Sequence, residues 1–239
     1  MANEVIFKEE EYKRFLKILS AFKETCSDVD IYRGQIFQKS NDSLYIYMCD
    51  LRSFLGENDF PITNLKQKLN LFKLFKEPII IFGNDNVRIQ EDIVYIDITK
   101  PLRQYLDNRY MEDINLDSIV NISPENKITE VNFDRGLLNK IKVISHNFGT
   151  ENMTILFEDS KAKFIVQNTI ANQKALVAES ELETVVGGDS TIPLFFNMKL
   201  PDAKIEIFLD SETLVLYYKI TSKIEDVDLV IFSKSKLSI

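Results

Sequence analysis

The segment that decides the fold covers residues 204–232 and reads KIEIFLDSETLVLYYKITSKIEDVDLVIF. Three short runs within it, 204–209, 214–220 and 228–232, are rich in β-branched and aromatic residues, and polar residues separate them. This composition predicts three strands that follow one another closely along the chain. Strands joined by such short connections are typical of antiparallel sheets.

The order of predicted elements is similar in the two halves of the 239-residue chain. A helix near the start is followed by paired strands within residues 28–51, and a later helix is followed by paired strands within residues 153–169. Residues 77–82 also resemble residues 203–208, and the matches are offset by roughly 120 to 126 residues. This internal repeat predicts an α+β fold of two similar domains, in which helices pack on one face of antiparallel sheets.

The two domains are predicted to span residues 1–100 and 128–239. Between them, residues 101–127 are polar and weakly periodic and follow a clear strand at 92–98, so they are interpreted as an interdomain connector. The start of the chain is acidic and the apolar runs are far shorter than a membrane helix requires. We therefore expect a soluble, cytoplasmic protein with no membrane partner.

Three helices are predicted at about 12–25, 63–77 and 133–146, each with an apolar stripe opposite a polar face. The stripe of the third helix consists of Leu137, Leu138, Ile141 and Ile144. The polar faces carry Lys13, Arg14 and Lys17 in the first helix, Lys66, Gln67, Asn70 and Lys73 in the second, and Arg135, Asn139, Lys142 and His146 in the third.

These helices hold much of the positive charge of the chain. They contain 11 basic and 3 acidic residues when His146 is left out, whereas the whole chain has a formal net charge of −8. Any one basic face is typical of a solvated helix. Three of them in so acidic a chain indicate a cationic surface suited to phosphates.

Catalytic motifs are missing from the sequence. It has one histidine and two cysteines, and it lacks a Gly-rich phosphate loop, a Cys/His ligand set and a nucleophile elbow. We expect no enzyme activity, no cofactor and no bound metal. Acidic pairs such as Asp28 and Asp30 could hold a metal, but such pairs are common at turns and strand ends of acidic proteins.

The closing stretch, residues 193–234, resembles that of the DNA sliding clamps, the family of proliferating cell nuclear antigen and the two-domain clamps of tailed phages. Its strand at 214–220 is similar to the family's Leu-Val-Val-x-Tyr-Lys-Ile, and Asn197, Met198 and Pro201 loosely match the Asn-Met-x-x-x-Pro element of phage clamps. The N-terminal helix and its strands, residues 10–51, also resemble the family. A final helix shortened around Pro201 favours a phage source.

The resemblance implies a DNA-clamp fold with helices on the inner face of a closed ring, which for a two-domain chain is a homotrimer. It implies a clamp that encircles duplex DNA without sequence specificity, tethers the replicative DNA polymerase and is opened by an ATP-driven clamp loader. We hypothesise that the strand at 92–98 of one subunit pairs with residues 174–180 of the next. The location would be the cytoplasm, that of the host for a phage protein, or the nucleus for a eukaryotic one.

The resemblance also implies two sets of site residues. The DNA-contacting set is Lys13, Arg14, Lys17, Lys66, Lys73, Arg135, Asn139, Lys142, His146 and Lys199. The second set forms a groove for hydrophobic partner peptides: Leu44, Ile119, Val120, Thr213 and Phe232.

Two other functions remain open at this point. A virion or assembly scaffold with no DNA role accounts for the fold and the acidity, but not for three basic helices. A metal-dependent nuclease accounts for attraction to phosphates, but the sequence lacks a convergent set of ligands.

Overall fold

The structure is a computed structural model that describes residues 3–41, 44–101, 122–193 and 200–239. The chain divides into two compact units. The first unit comprises Met1–Glu112 and Ile224–Leu229, and the second comprises Asp113–Lys223 and Val230–Ile239.

The first unit contains eight strands and three helices in its described part. In chain order these are β1 (Asn3–Ile6), α1 (Glu9–Phe22), β2 (Val29–Tyr32), β3 (Gln35–Lys39), β4 (Ile46–Asp50), α2 (Arg52–Leu55), β5 (Phe60–Ile62), α3 (Leu65–Phe72), β6 (Ile79–Phe82), β7 (Asn86–Glu91) and β8 (Val94–Thr99). The strands are antiparallel and lie in the orders β1-β6-β7-β8 and β5-β2-β3-β4.

The first described element of the second unit is a short 3-10 turn, Pro124–Asn126. The described elements that follow are β9 (Lys127–Phe133), α4 (Arg135–Phe148), β10 (Asn152–Glu158), β11 (Lys161–Asn168), β12 (Gln173–Glu181), β13 (Gly188–Pro193), β14 (Ala203–Asp210), β15 (Val215–Ile224) and β16 (Val227–Lys236). The strand orders are β12-β11-β10-β13 and β16-β15-β14-β9. The turn that joins β15 to β16 belongs to the first unit.

The two units repeat one plan. The order β1-β6-β7-β8 corresponds to β9-β14-β15-β16, and β5-β2-β3-β4 corresponds to β13-β10-β11-β12. In both units the first strand is followed at once by a helix of 14 residues, α1 or α4. The predicted α+β fold of two similar domains is confirmed. The boundaries of the predicted connector stay a prediction, because residues 102–121 lie outside the described part of the chain.

Aromatic packing forms the core of the first unit. Phe60 is fully buried, and the centroid of its ring lies 6.0 Å from that of Phe72, 6.3 Å from that of Phe82 and 6.4 Å from that of Phe15. The hydroxyl of Tyr12 donates a hydrogen bond of 3.1 Å to the carbonyl oxygen of Phe72, which ties α1 to α3. Burial raises the pKa of that tyrosine, which therefore stays neutral.

Several predicted boundaries were wrong. Helix α1 starts at Glu9 rather than at residue 12, α3 covers only Leu65–Phe72, and α4 starts after Asp134, because Phe133 is part of β9. The first predicted strand within residues 28–51 is itself a hairpin, since left-handed backbone at residues 33 and 34 reverses the chain between β2 and β3. The short helix α2 was not predicted.

Replacing Gly34 by alanine is expected to destabilise the first unit by about 2 kcal/mol or more. Gly34 has a φ of +72°, and a Cβ atom there would lie 2.0 Å from the carbonyl oxygen of Gly56. The measurement is urea-induced unfolding followed by circular dichroism. Gly187→Ala is the control, because a Cβ atom at Gly187 meets no heavy atom within 4 Å. Equal unfolding midpoints for the two variants would contradict the expectation.

Candidate nucleic-acid interface

Helix α4 presents one face to the core and the opposite face to solvent. The carboxylate of Asp134 caps the helix by accepting a hydrogen bond of 2.7 Å from the backbone N–H of Leu137. Leu138 and Ile141 are buried. Leu137 and Ile144, which were predicted to be buried too, are only half-buried, so the apolar stripe is narrower than the sequence predicts.

The exposed face of α4 is basic. Arg135, Asn139, Lys142 and His146 are all exposed, and their spacing of four, three and four residues places them on one side of the helix. Lys142 and His146 also line a shared shallow depression near the end of the helix. Lys140 is exposed as well, and it adds a cation that the predicted set omitted.

Helix α3 has a similar arrangement. Leu65, Leu69 and Phe72 are buried, and Leu71 is half-buried. The predicted polar residues Lys66, Gln67, Asn70 and Lys73 are exposed. Lys68 is half-buried on the helix, and Lys76 is exposed just beyond its end. Within the described residues, the basic residues of α4 and the lysines of α3 and its C-terminal end form no ion pair with a carboxylate; these lysines are Lys66, Lys68, Lys73 and Lys76.

Helix α1 differs because it starts with three glutamates, Glu9, Glu10 and Glu11. The ammonium group of Lys13 lies 2.8 Å from a carboxylate oxygen of Glu9 and 3.2 Å from one of Glu10. The hydrogen bond to Glu9 raises the pKa of Lys13, and the same bond lowers the pKa of Glu9. Because the helix was predicted to start at about residue 12, the count of charged residues left out these three carboxylates. Within its observed bounds, α1 has no net charge.

The other two cations of α1 are paired with the turn between β15 and β16. The guanidinium of Arg14 donates a hydrogen bond of 2.9 Å to the carbonyl oxygen of Glu225 and lies 3.3 Å from the carboxylate of Asp226. Its central carbon lies 5.9 Å from the centroid of the Phe54 ring. The ammonium of Lys17 contacts the carboxylate of Glu225. The basic residues of α1 are therefore paired with carboxylates, whereas those of α3 and α4 have no such partner in the part of the chain that the structure describes.

The remaining predicted site residues are placed only in part. Lys199, Ile119 and Val120 lie outside the described residues. Leu44, in the first unit, is 46% exposed; in the second unit Thr213 is exposed and Phe232 is buried at 3% exposure. The partner groove stays a prediction.

The described part of the chain has neither a candidate metal cluster nor a helix suited to cross a membrane. It contains no cluster of three or more histidine, cysteine, aspartate or glutamate residues that could hold a metal ion. No described helix is both long enough and apolar enough to cross a membrane.

Comparison with known proteins gives matches in structure but not in sequence. No protein-family model and no curated protein matches the chain. A chain of the PCNA2–PCNA3 complex of Sulfolobus tokodaii is similar at 11% identity and a TM-score of 0.60, over 98% of this chain and 99% of that one. Proliferating cellular nuclear antigen of Entamoeba histolytica is similar at 14% identity and a TM-score of 0.61, over 98% of both chains. PCNA of Thermococcus kodakaraensis is similar at 10% identity and a TM-score of 0.62, over 98% of this chain and 99% of that one.

The chain has the sliding-clamp fold. The likeness that residues 193–234 indicated is confirmed at the level of fold, and it extends over 98% of the chain. Cationic residues lie on α1 and α4, the helices that follow the first strand of each unit, and also on α3 and, as Arg52, on α2. At 10 to 14% identity, these matches establish the fold of the chain.

Proposed function

We propose that this chain is a DNA sliding clamp, a ring that encircles duplex DNA and tethers a replicative polymerase. The observation that carries the proposal is the positive charge of α3 and α4, which no carboxylate among the described residues pairs with, in a chain that has the sliding-clamp fold and a net charge of −8. Cationic side chains aimed at phosphates bind DNA without reading its sequence. The acidic remainder of the chain disfavours DNA elsewhere on the protein.

The predicted DNA-contacting residues contribute unequally in this proposal. Lys66, Lys73, Arg135 and Lys142 are exposed and have no carboxylate partner among the described residues, so they are available to phosphates. Asn139 and His146 lie on the same face of α4. Lys13, Arg14 and Lys17 are already paired with carboxylates and should contribute less. Lys199 remains a predicted contact.

Ring closure is proposed to occur through two edge strands. In the described sheets, β8 is the last strand of β1-β6-β7-β8, and β12 is the first strand of β12-β11-β10-β13. Exposed edges of this kind invite pairing with another chain. Both also carry exposed apolar residues: Val94 is 57% exposed, Tyr95 55% and Leu176 54%. Head-to-tail pairing of β8 with β12 of the next copy generates a closed ring if the rotation closes, and we propose a homotrimer.

The proposed ring acts as an attachment point for other replication proteins. A polymerase would bind through a short hydrophobic peptide, and an ATP-driven loader would open the ring. Primer extension on long circular templates, with and without the loader, measures this function directly. Equal product lengths in both reactions would contradict the tethering role. A nuclease assay with divalent metal tests the rival enzyme function.

Replacing Lys66, Lys73, Arg135 and Lys142 by alanine is expected to weaken binding to a linear duplex about tenfold or more near 0.1 M salt. Each lost phosphate contact should also reduce the slope of log affinity against log salt by about 0.9. Fluorescence anisotropy over a series of salt concentrations measures both effects. Circular dichroism of each variant confirms that the chain is folded.

The matched control replaces Lys161, Lys163, Lys204 and Lys219, which are ion-paired with carboxylates on the strands. It removes the same charge and should change the salt slope little. A duplex blocked at both ends with bulky protein tests encirclement, because a ring cannot thread onto it. Equal losses in both quadruple variants, or equal binding to blocked and open duplexes, would contradict the proposal.

A further inference from the structure

The turn between β15 and β16 contacts α1 through charged side chains. The turn consists of Glu225 and Asp226, with φ values of 51° and 65°. It contacts the sixth and ninth residues of α1, Arg14 and Lys17. Both contacts are between opposite charges.

The internal duplication gives this turn and this helix one counterpart each. Because β7 and β8 correspond to β15 and β16, the equivalent turn is Asp92-Ile93, and Asp92 has a φ of 54°, close to that of Glu225. The equivalent helix is α4, whose sixth and ninth residues are Lys140 and Val143.

The counterpart residues are complementary in chemistry. Asp92 and Lys140 are exposed and opposite in charge, and neither has an ion-pair partner among the described residues. Ile93 is 93% exposed and Val143 is 60% exposed. Large aliphatic side chains this exposed gain free energy when they are covered. A contact between these two pairs would therefore give Asp92 and Lys140 a partner of opposite charge and would cover the aliphatic side chains of Ile93 and Val143.

The proposed ring brings the counterparts together between copies. Helix α4 packs on β11 and β12, so it lies beside the edge strand that receives β8 of the neighbour. The Asp92-Ile93 turn leads directly into β8 at Val94. We propose that Asp92 and Ile93 of one copy dock on Lys140 and Val143 of the next. These four residues, which we call the lock, stabilise the contact between neighbouring copies in the ring. The inference rests on the ring of the proposed function.

Charge reversal tests the ionic half of the lock. Asp92→Lys and Lys140→Asp should each raise the concentration at which the ring dissociates by about tenfold. The double variant, Asp92→Lys with Lys140→Asp, should restore the original concentration, since the two charges are exchanged. The lysine at residue 92 is present in both the single and the double variant, so any strain that it causes in the turn is the same in both. Recovery in the double variant therefore reports the restored pairing of opposite charges. Mass photometry over a dilution series gives the dissociation concentration.

A cysteine pair tests the aliphatic half. Oxidation of a variant carrying Ile93→Cys and Val143→Cys should produce covalently linked multimers on a denaturing gel, because a disulfide forms only when the two Cα atoms lie within about 7 Å. The native thiols of Cys26 and Cys49 are buried and should not interfere. The control pairs Ile93→Cys with Ile170→Cys; Ile170 is 98% exposed and lies in the turn between β11 and β12.

The outcomes separate the lock from the ring. The lock is wrong, and the proposed ring stands, if the ring forms but any one of three results is found. The first is that neither charge reversal raises the dissociation concentration, and the second is that the double variant does not restore it. The third is that the cysteine pair cross-links no more than its control. A chain that is monomeric without any substitution would overturn both. As a charge control, Glu57→Lys alters an exposed residue outside this patch and should leave the dissociation concentration unchanged.

Discussion

Replacing Leu176 by aspartate is expected to convert the proposed ring into single chains. Leu176 lies in the edge strand β12 and is 54% exposed in the isolated chain. In the proposed ring it would be covered by β8 of the neighbour, and an unpaired carboxylate buried there costs about 3 kcal/mol or more at each interface. Sedimentation velocity should show particles of the 27.7 kDa chain, whereas the unaltered protein is expected to form the proposed ring.

The control for this change is Ile170→Asp. Ile170 is 98% exposed and precedes β12 in the adjacent turn, so the same new charge stays in water. The control should retain the ring. If Leu176→Asp leaves the particle mass unchanged, β12 is not at the interface and the proposed closure is wrong. Loss of the ring should also abolish the difference between open and blocked duplexes.

Replacing Phe60 by alanine should lower the free energy of unfolding of the first unit by about 3 to 5 kcal/mol. Phe60 is fully buried among the rings of Phe15, Phe72 and Phe82. Its removal deletes contacts to α1 and α3 together and leaves a cavity. Hydrogen exchange followed by mass spectrometry gives the effect for each unit separately, since a chain with two units need not unfold in one step.

Phe148→Ala serves as the control for this second change. Phe148 is half-buried at the end of α4, so the same truncation should cost much less. Faster exchange in the first unit of the Phe60 variant alone is the expected pattern. Equal exchange in the two variants would show that the aromatic cluster does not hold the first unit together.

The sequence was sufficient to predict the fold, because strand composition and helical periodicity recur in both halves. The three strands at 204–232 appear as β14, β15 and β16, and each is longer than its apolar run. The helix boundaries were less predictable. The glutamates at the start of α1 carry no apolar signal, and only the folded chain shows that they belong to the helix.

The candidate interface was predictable in its exposed residues but not in its charge balance. Periodicity correctly placed Lys66, Lys73, Arg135 and Lys142 in solvent. The pairing of Arg14 with Glu225 joins residues 211 positions apart, and helical spacing contains no information on such contacts. Lys140 was missed because it lies off the row of residues that defined the face of α4.

The carboxylates bound to α1 have a consequence for how fast the proposed clamp could travel. A ring that grips every phosphate with a free lysine would have to break many charged contacts at each step along the duplex. Arg14 and Lys17 already hold partners of their own, so they would add little friction. A ring lined in this way would stay on the duplex by its closed topology and would diffuse along it with low resistance.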